Sequence, residues 1–379
     1  MTIPSAIGLT ADLIRCPSVT PEEGGALALL ERVLQPAGFS CTRISRGGVE
    51  NLYARWGRAA PVFGFGGHTD VVPVGNRDAW RADPFGAEIR DGVLWGRGAT
   101  DMKSGVGAFV AAAIRLVTET PPDGSVALVI TGDEEGPATD GTIAVLDWMR
   151  QNGETLDICI VGEPTSVARL GDVVKIGRRG SMNGTLNVRG KQGHTAYPER
   201  AINPLPVLSR ICAALSDTRL DEGSEHFQAS TLALASIDVG NPVANVIPAE
   251  GKAVFNIRFN DLHSSDSIKA WVDRIVAQGV AGSGCEVEIA WKVSGESFLT
   301  HPGQLTELIG AVVAERCGAP PAMTTGGGTS DARFIKDMCP VVELGLVGDT
   351  MHQVDERVPV ADIDALSALY LDLMRRYFA

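Results

Sequence analysis

The chain has 379 residues, a formal charge of −13 and 44% hydrophobic residues, a length too great for one ordinary core, so two domains are expected. A pI near 5.0 argues against nucleic acid or an anionic membrane as partner, although a local Arg cluster can still hold a small anionic substrate. Seven scattered Cys without a C-x-x-C fit neither a disulfide framework nor a Cys zinc site. No apolar run approaches the ~18 residues that span a bilayer, and the first residues lack the basic-then-apolar pattern of a secretory signal, so a cytoplasmic location is expected.

In chain order, an amphipathic helix is expected over 22–37, ending near Gly38. Strand, loop and helix signals then alternate to about residue 178, as a layered α/β domain demands. Within that stretch the apolar run 61–65 leads into Gly66-Gly67-His68-Thr69-Asp70, and a hairpin is expected over 87–95. Asp101 follows the hairpin, and an Ala-rich helix is expected over 104–118. The apolar run 125–130 leads into Asp133-Glu134-Glu135, and the run 156–161 into Gly162-Glu163-Pro164. From Gly180 the texture changes to strand 181–189, helix 204–215, strands 231–239 and 250–259, helix 265–278 and strand 285–293. That β-α-β-β-α-β order is the ferredoxin-like split motif. After Gly295 the first texture returns, with helix 303–316, the glycines 326–328, a strand over 341–346 leading to His352, and helix 362–377. The expectation is α/β: a discontinuous catalytic domain, 1–179 and 294–379, carrying an inserted α+β domain, 180–293.

In open α/β sheets ligands bind beyond the carboxyl ends of the strands. Two His and three carboxylates delivered there read as a dinuclear metal site. A histidine after a strand is more often structural, and an acidic turn is usually solvated. Their recurrence at several strand ends, and the dication that would neutralise Asp133-Glu134-Glu135, tip both readings toward metal. The spacing in His68-Thr69-Asp70 lets Asp70 accept the second N–H of a ligating imidazole. Of the adjacent Glu134 and Glu135, one carboxylate can ligate while its neighbour faces substrate. A carboxylate such as Asp101 has the two oxygens needed to bridge ions roughly 3.5–4 Å apart. Mixed N/O donors without thiolate favour Zn²⁺, with Co²⁺ or Mn²⁺ tolerable. No G-x-S-x-G elbow or phosphate loop is present, so Ser330 is a weak candidate for a nucleophile; the glycines 326–328 let backbone approach a carboxylate or amide, with phosphate the lesser reading.

Several stretches are more specific: Trp95-Gly96-Arg97-Gly98-Ala99-Thr100-Asp101-Met102-Lys103, Gly177-Arg178-Arg179-Gly180-Ser181, Gln192-Gly193-His194-Thr195-Ala196-Tyr197-Pro198, and Gly326-Gly327-Gly328-Thr329-Ser330-Asp331. With Cys16-Pro17-Ser18-Val19-Thr20-Pro21 they resemble the dinuclear-zinc aminoacylase and carboxypeptidase (M20-type) superfamily. That group contains acetylornithine deacetylase and succinyl-diaminopimelate desuccinylase, and the motifs point to its desuccinylase branch. The resemblance covers the whole chain and implies a zinc-exopeptidase-like catalytic domain with a ferredoxin-like dimerisation (lid) insertion. It implies two Zn²⁺ per subunit, with Co²⁺ as a substitute: one ion on His68 and Glu163, the other on Glu135 and His352, Asp101 bridging, and a cis bond after Asp101. It also implies Glu134 as general acid/base, assisted by Asp70, with His194 reaching across a homodimer formed through the insertion. Arg178, Ser181, Tyr197, Asn245, Arg258, Gly328 and Thr329 match its substrate-binding positions; an Arg fork suits carboxylates. The implied reaction is hydrolysis of N-succinyl-LL-2,6-diaminopimelate by a metal-activated bridging water, a step in lysine and cell-wall precursor synthesis. N-acetylornithine or another N-acyl amino acid is the alternative substrate, and a catalytically silent ligand-binding dimer the remote one. Gly348 stands where desuccinylases often carry Asn, which bears on fine substrate contacts.

Overall fold

The computed structural model describes residues 3–379, which form two units joined by four passages of the chain. One unit comprises the chain through Ile176, then Thr300–Thr324 and Ser330–Ala379; the other is Gly177–Leu299 with Thr325–Thr329.

The first unit is built on an eight-stranded mixed sheet in the order Ser40–Arg46, Val49–Trp56, Ser125–Thr131, Val62–His68, Ile158–Val161, Val341–Glu343, Val173–Lys175, Ala322–Thr324. Its four central strands, from Ser125–Thr131 to Val341–Glu343, are mutually parallel and buried at every position. Such strands read as continuous apolar runs because helices cover both faces. On the strand Val62–His68 the covering is visible residue by residue. Phe63 and Phe65 stack on Phe109 of helix Lys103–Glu119 with centroids 6.2 and 4.1 Å apart, and Phe65 meets Tyr370 of helix Val360–Tyr377 edge-on. On the other face Gly66 leaves room for Ile335, whose Cδ1 lies 2.8 Å from where a Cβ would stand. Parallel strands end on the same side, so His68, the turn after Thr131 and the turn after Val161 share one edge of the sheet.

The second unit carries a four-stranded antiparallel sheet in the order Thr231–Asp238, Glu250–Phe259, Gly180–Arg189, Glu286–Gly295. With helices Leu205–Asp217 and Ser265–Val280 this is the split β-α-β-β-α-β arrangement. Met182, Leu186, Val188, Phe255 and Ile257 alternate along two strands and pack with Leu208, Ile211, Ile268 and Val272 from the helices.

Two local differences from expectation have clear causes. The first expected helix begins only at Ala26, because Gly24 and Gly25 stand at φ 60° and 92°, and it tightens to a 3-10 turn at Gln35–Ala37 around Pro36. Helices Ala6–Ile14, capped by the Ser5 hydroxyl, and Thr142–Asn152 carry no clear signal in the sequence. No helix among the described residues is long and apolar enough to cross a membrane.

Candidate metal centre

Six side chains of the first unit converge at the edge where its parallel strands end. His68 closes its strand and is 1% exposed. Its Nε2 lies 3.1 Å from Asp101 Oδ1 and 4.0 Å from Glu163 Oε1. His352 Nε2 lies 3.2 Å from Asp101 Oδ2 and 2.9 Å from Glu135 Oε1. Asp101 thus turns one oxygen to each histidine. The ligand atoms of His68, Asp101 and Glu135 lie within 4.8 Å of one another, as do those of His68, Glu134 and Glu163. Ions would be held by two imidazoles and up to four carboxylates without a thiolate, a donor set that fits borderline divalent cations.

Local structure explains how each residue arrives. The short strands Glu88–Arg90 and Val93–Trp95 form the expected hairpin, and Val93–Trp95 pairs in turn with Arg357–Pro359. This brings the loop ahead of Asp101 beside the segment that follows His352. The Asp101–Met102 peptide is cis, as the resemblance implies. His352 has φ 61°, a left-handed conformation uncommon outside glycine and found where a turn must aim one side chain.

One expected contact takes a different form. The second ring nitrogen of His68 faces the backbone carbonyl of Asp70 at 2.8 Å, while the nearer carboxylate oxygen is 3.7 Å away. The Asp70 carboxylate instead accepts the backbone N–H groups of Glu134, at 3.3 Å, and Glu135, at 3.1 Å. It is drawn across to the neighbouring parallel strand, whose two bare amides at the strand end are better donors than a ring already served by a carbonyl. Asp70 therefore fixes the Glu134-Glu135 turn and the His68 ring together.

Burial and hydrogen bonding, with like charge crowded nearby, shift the protonation of these groups. Burial pushes the Glu134 carboxyl up to about 8, with Asp331, Glu135 and Asp101 adding to it and His68 opposing. Burial and Asp101 likewise hold Glu163 well above the usual range. Burial also disfavours the Asp101 carboxylate, but hydrogen bonds with His352 and His68 outweigh it and hold its carboxyl below that range. Hydrogen bonds with Asp101 and Glu135 push His352 up to about 10. A dication bound here would compete with protons for the two imidazoles.

The other expected site residues belong to the second unit. Arg178 is 9% exposed and donates from Nη1 to Gly326 O at 3.1 Å, while Ser181 pairs across the sheet with Arg258. His194, Tyr197 and Asn245 are exposed; His194 Nδ1 accepts the Ala196 N–H at 3.0 Å, and Asn245 O accepts that of Thr195. Gly328 and Thr329 lie in the glycine turn, where a Cβ on Gly327 would meet Arg178 Nη1 at 2.2 Å. Ser330 is buried with its hydroxyl bonded to Glu343 at 2.5 Å. Glu356 and Arg97, buried behind Asp101, were not singled out by the sequence, although Glu356 ends the run His352-Gln353-Val354-Asp355-Glu356.

The sequence profile of peptidase family M20/M25/M40 matches residues 64–376. The chain belongs to that family. Among M20 relatives, a succinyl-diaminopimelate desuccinylase of Cereibacter sphaeroides is 61% identical over 375 residues, 98% of this chain and 99% of its own. Another, of Ruegeria pomeroyi, is 58% identical over 381 residues and all of both chains. Among solved M20 folds, a metallo-carboxypeptidase of Sulfolobus solfataricus superposes with TM-score 0.78 at 16% identity over 99% of each chain. A dinuclear metal binding peptidase of Bacillus subtilis does so with TM-score 0.75 at 15% identity, covering 99% of this chain and 98% of its own.

Proposed function

We propose that this chain hydrolyses the amide of N-succinyl-LL-2,6-diaminopimelate, releasing succinate and LL-2,6-diaminopimelate, with two Zn²⁺ bound in the first unit and Co²⁺ able to replace them. The observation that carries the reading is Asp101 with one oxygen toward His68 and the other toward His352, at 3.1 and 3.2 Å. The near-full-length identity to desuccinylases supplies the substrate. His68 and Glu163 would hold one ion, Glu135 and His352 the other, and Asp101 both. When bound, such ions would supply Lewis acidity, lowering the pKa of a bound water and polarising the scissile carbonyl.

Glu134 does the proton work. Its carboxyl stands at the cluster with its proton affinity raised, and its backbone is pinned by Asp70. It takes the proton of the attacking water and returns it to the leaving amine. Arg178, Ser181 and Arg258 form the anion-binding group of the second unit, suited to a substrate with carboxylates at both ends. His194 is exposed on that unit and serves the oxyanion of a partner subunit in a homodimer. The dimer reading is supported by the sheet-edge strand Thr231–Asp238, whose Ile237 is 53% exposed beside an apolar groove of about 420 Å³ lined by Leu205, Leu208, Cys212 and Val239.

The test is hydrolysis of N-succinyl-LL-2,6-diaminopimelate beside N-acetylornithine, each with zinc and with chelator. Zinc-dependent release of succinate alone is expected. Preference for acetylornithine would keep the metal centre and discard the substrate reading, and silence on both would discard the reaction.

A further inference from the structure

Behind Asp101 lies a carboxylate that touches neither histidine in any contact of the structure. Glu356 is 0% exposed. Its Oε2 accepts from Arg97 Nη1 at 2.6 Å and from the Gly98 N–H at 3.0 Å. Its Oε1 accepts from the Thr100 N–H at 2.8 Å and the Asp101 N–H at 3.1 Å. Four donors from residues 97–101 thus fill the roughly four acceptor positions of one carboxylate. The Glu356 carbonyl takes the Gly96 N–H at 2.9 Å, and the next residue, Arg357, pairs with Trp95 in the strand ladder. Arg97 returns the connection by donating to the carbonyls of Gln353, at 3.2 Å, and Pro73, at 3.3 Å. The loop bearing Asp101 and the loop bearing His352 are one hydrogen-bonded body with Glu356 at its centre.

A buried Arg–Glu pair needs the remaining lone pairs of its carboxylate hydrogen-bonded, and here three backbone amides, of Gly98, Thr100 and Asp101, do so. Those amides belong to the segment that ends in Asp101 itself. A carboxylate collecting several N–H groups makes strong charge-assisted bonds with fixed directions, and here the direction fixed is that of the Asp101 main chain. We propose that Glu356 is a positioning residue that holds Asp101 with one oxygen toward each histidine, and so sets the affinity of both metal ions rather than one. This rests on the two-ion reading above. The partners of ligating groups commonly change metal affinity 10–100-fold when removed.

The experiment is titration of the chelator-treated chain with Co²⁺, followed by calorimetry and by the cobalt absorption spectrum, for wild type, Glu356→Gln and Leu30→Ala. Glutamine keeps the size but faces two of the four donors with an NH₂ group. Leu30 is fully buried on helix Ala26–Leu34, far in sequence from either loop, and reports what general loss of stability does. The expected result is that both ions bind Glu356→Gln 10–100-fold more weakly, with an altered spectrum, while Leu30→Ala melts earlier and binds as wild type does. Wild-type affinities in Glu356→Gln, weakening of one ion alone, or weakening no greater than in Leu30→Ala would overturn the proposal. Should Glu356→Gln not fold, Glu356→Asp, which keeps the charge beside Arg97 but is one methylene too short for all four donors, is held to the same outcomes. A wild-type chain that binds no pair of ions overturns the metal centre instead, so the two failures are told apart.

Discussion

Two carboxylates stand next to each other in the sequence, and the chain gives them different surroundings. Glu135 meets His352 at 2.9 Å, whereas burial among Asp331, Glu135 and Asp101 pushes Glu134 up to about 8. Glu134→Ala is therefore expected to bind both ions while its kcat falls 10²- to 10⁴-fold, the range for loss of a general acid/base; metal titration beside steady-state kinetics measures both, and near-normal turnover would remove Glu134 from the role. The histidines give a second expectation. His352 rises from its ordinary 6.5 to about 10 on Asp101 and Glu135. A raised folded value contributes stability fully present below the unfolded pKa of about 6.5 and lost as pH climbs through about 10. A dication competes with that proton, so its binding strengthens over the same window. The gain in melting temperature on adding zinc to chelator-treated protein should grow from pH 6.5 toward 9. A gain that stays flat or shrinks with pH would show that no such proton is displaced. At this scale the sequence made His68, Glu134, Glu135 and Glu163 legible, since each follows an apolar strand. The Asp70 contact differs from expectation because a spacing of two residues says nothing of the neighbouring strand's amides, and Glu356 is invisible because three of its four donors are backbone amides at least 255 residues away.

Elements position the site through close approach as much as through hydrogen bonds. Helix Lys103–Glu119 lies on the end of the strand that delivers Glu163, so close that a Cβ on Gly105 would stand 2.5 Å from the Gly162 carbonyl oxygen. Alanine is ordinarily the better helix former by about 1 kcal/mol. At Gly105 the clash is with backbone, which cannot rotate away, and such overpacking typically costs 1–3 kcal/mol. Gly105→Ala should thus melt earlier and bind metal more weakly. Gly310→Ala, in helix Gln304–Cys317, meets only Met323 Cε at 3.8 Å and should gain about 1 kcal/mol instead. Differential scanning calorimetry of the pair decides it: equal shifts would mean that the approach to Gly162 relaxes freely. The long elements were legible wherever one face met a core, as in strand Glu250–Phe259, whose buried and exposed positions alternate over much of its length. Helix Ala6–Ile14 was not, because six of its nine residues are buried and its sequence shows little contrast between faces.

At the scale of the whole molecule the proposed chemistry is divided between the two units. The ligand cluster and Glu134 belong to one; His194, Arg178 and Arg258 belong to the other. The split β-α-β-β-α-β order was readable from alternation alone, but no pattern in a single chain says whether His194 serves its own cluster or a partner's. Mixing two inactive chains answers that. Glu134→Ala keeps His194 and lacks the proton carrier, while His194→Ala keeps Glu134 and lacks the oxyanion donor. If His194 acts in trans, a heterodimer contains one centre with Glu134 of one chain and His194 of its partner, both intact, and one centre missing both. Random exchange places half of the subunit pairs in heterodimers, each with one working centre, so about a quarter of wild-type activity is the expected ceiling. Exchange is verified with differently tagged chains, and activity should rise with the exchanged fraction. If exchange is complete and activity stays at the sum of the two parents, His194 works within its own subunit or not at all. The homodimer would then lose its catalytic role even if the two chains associate.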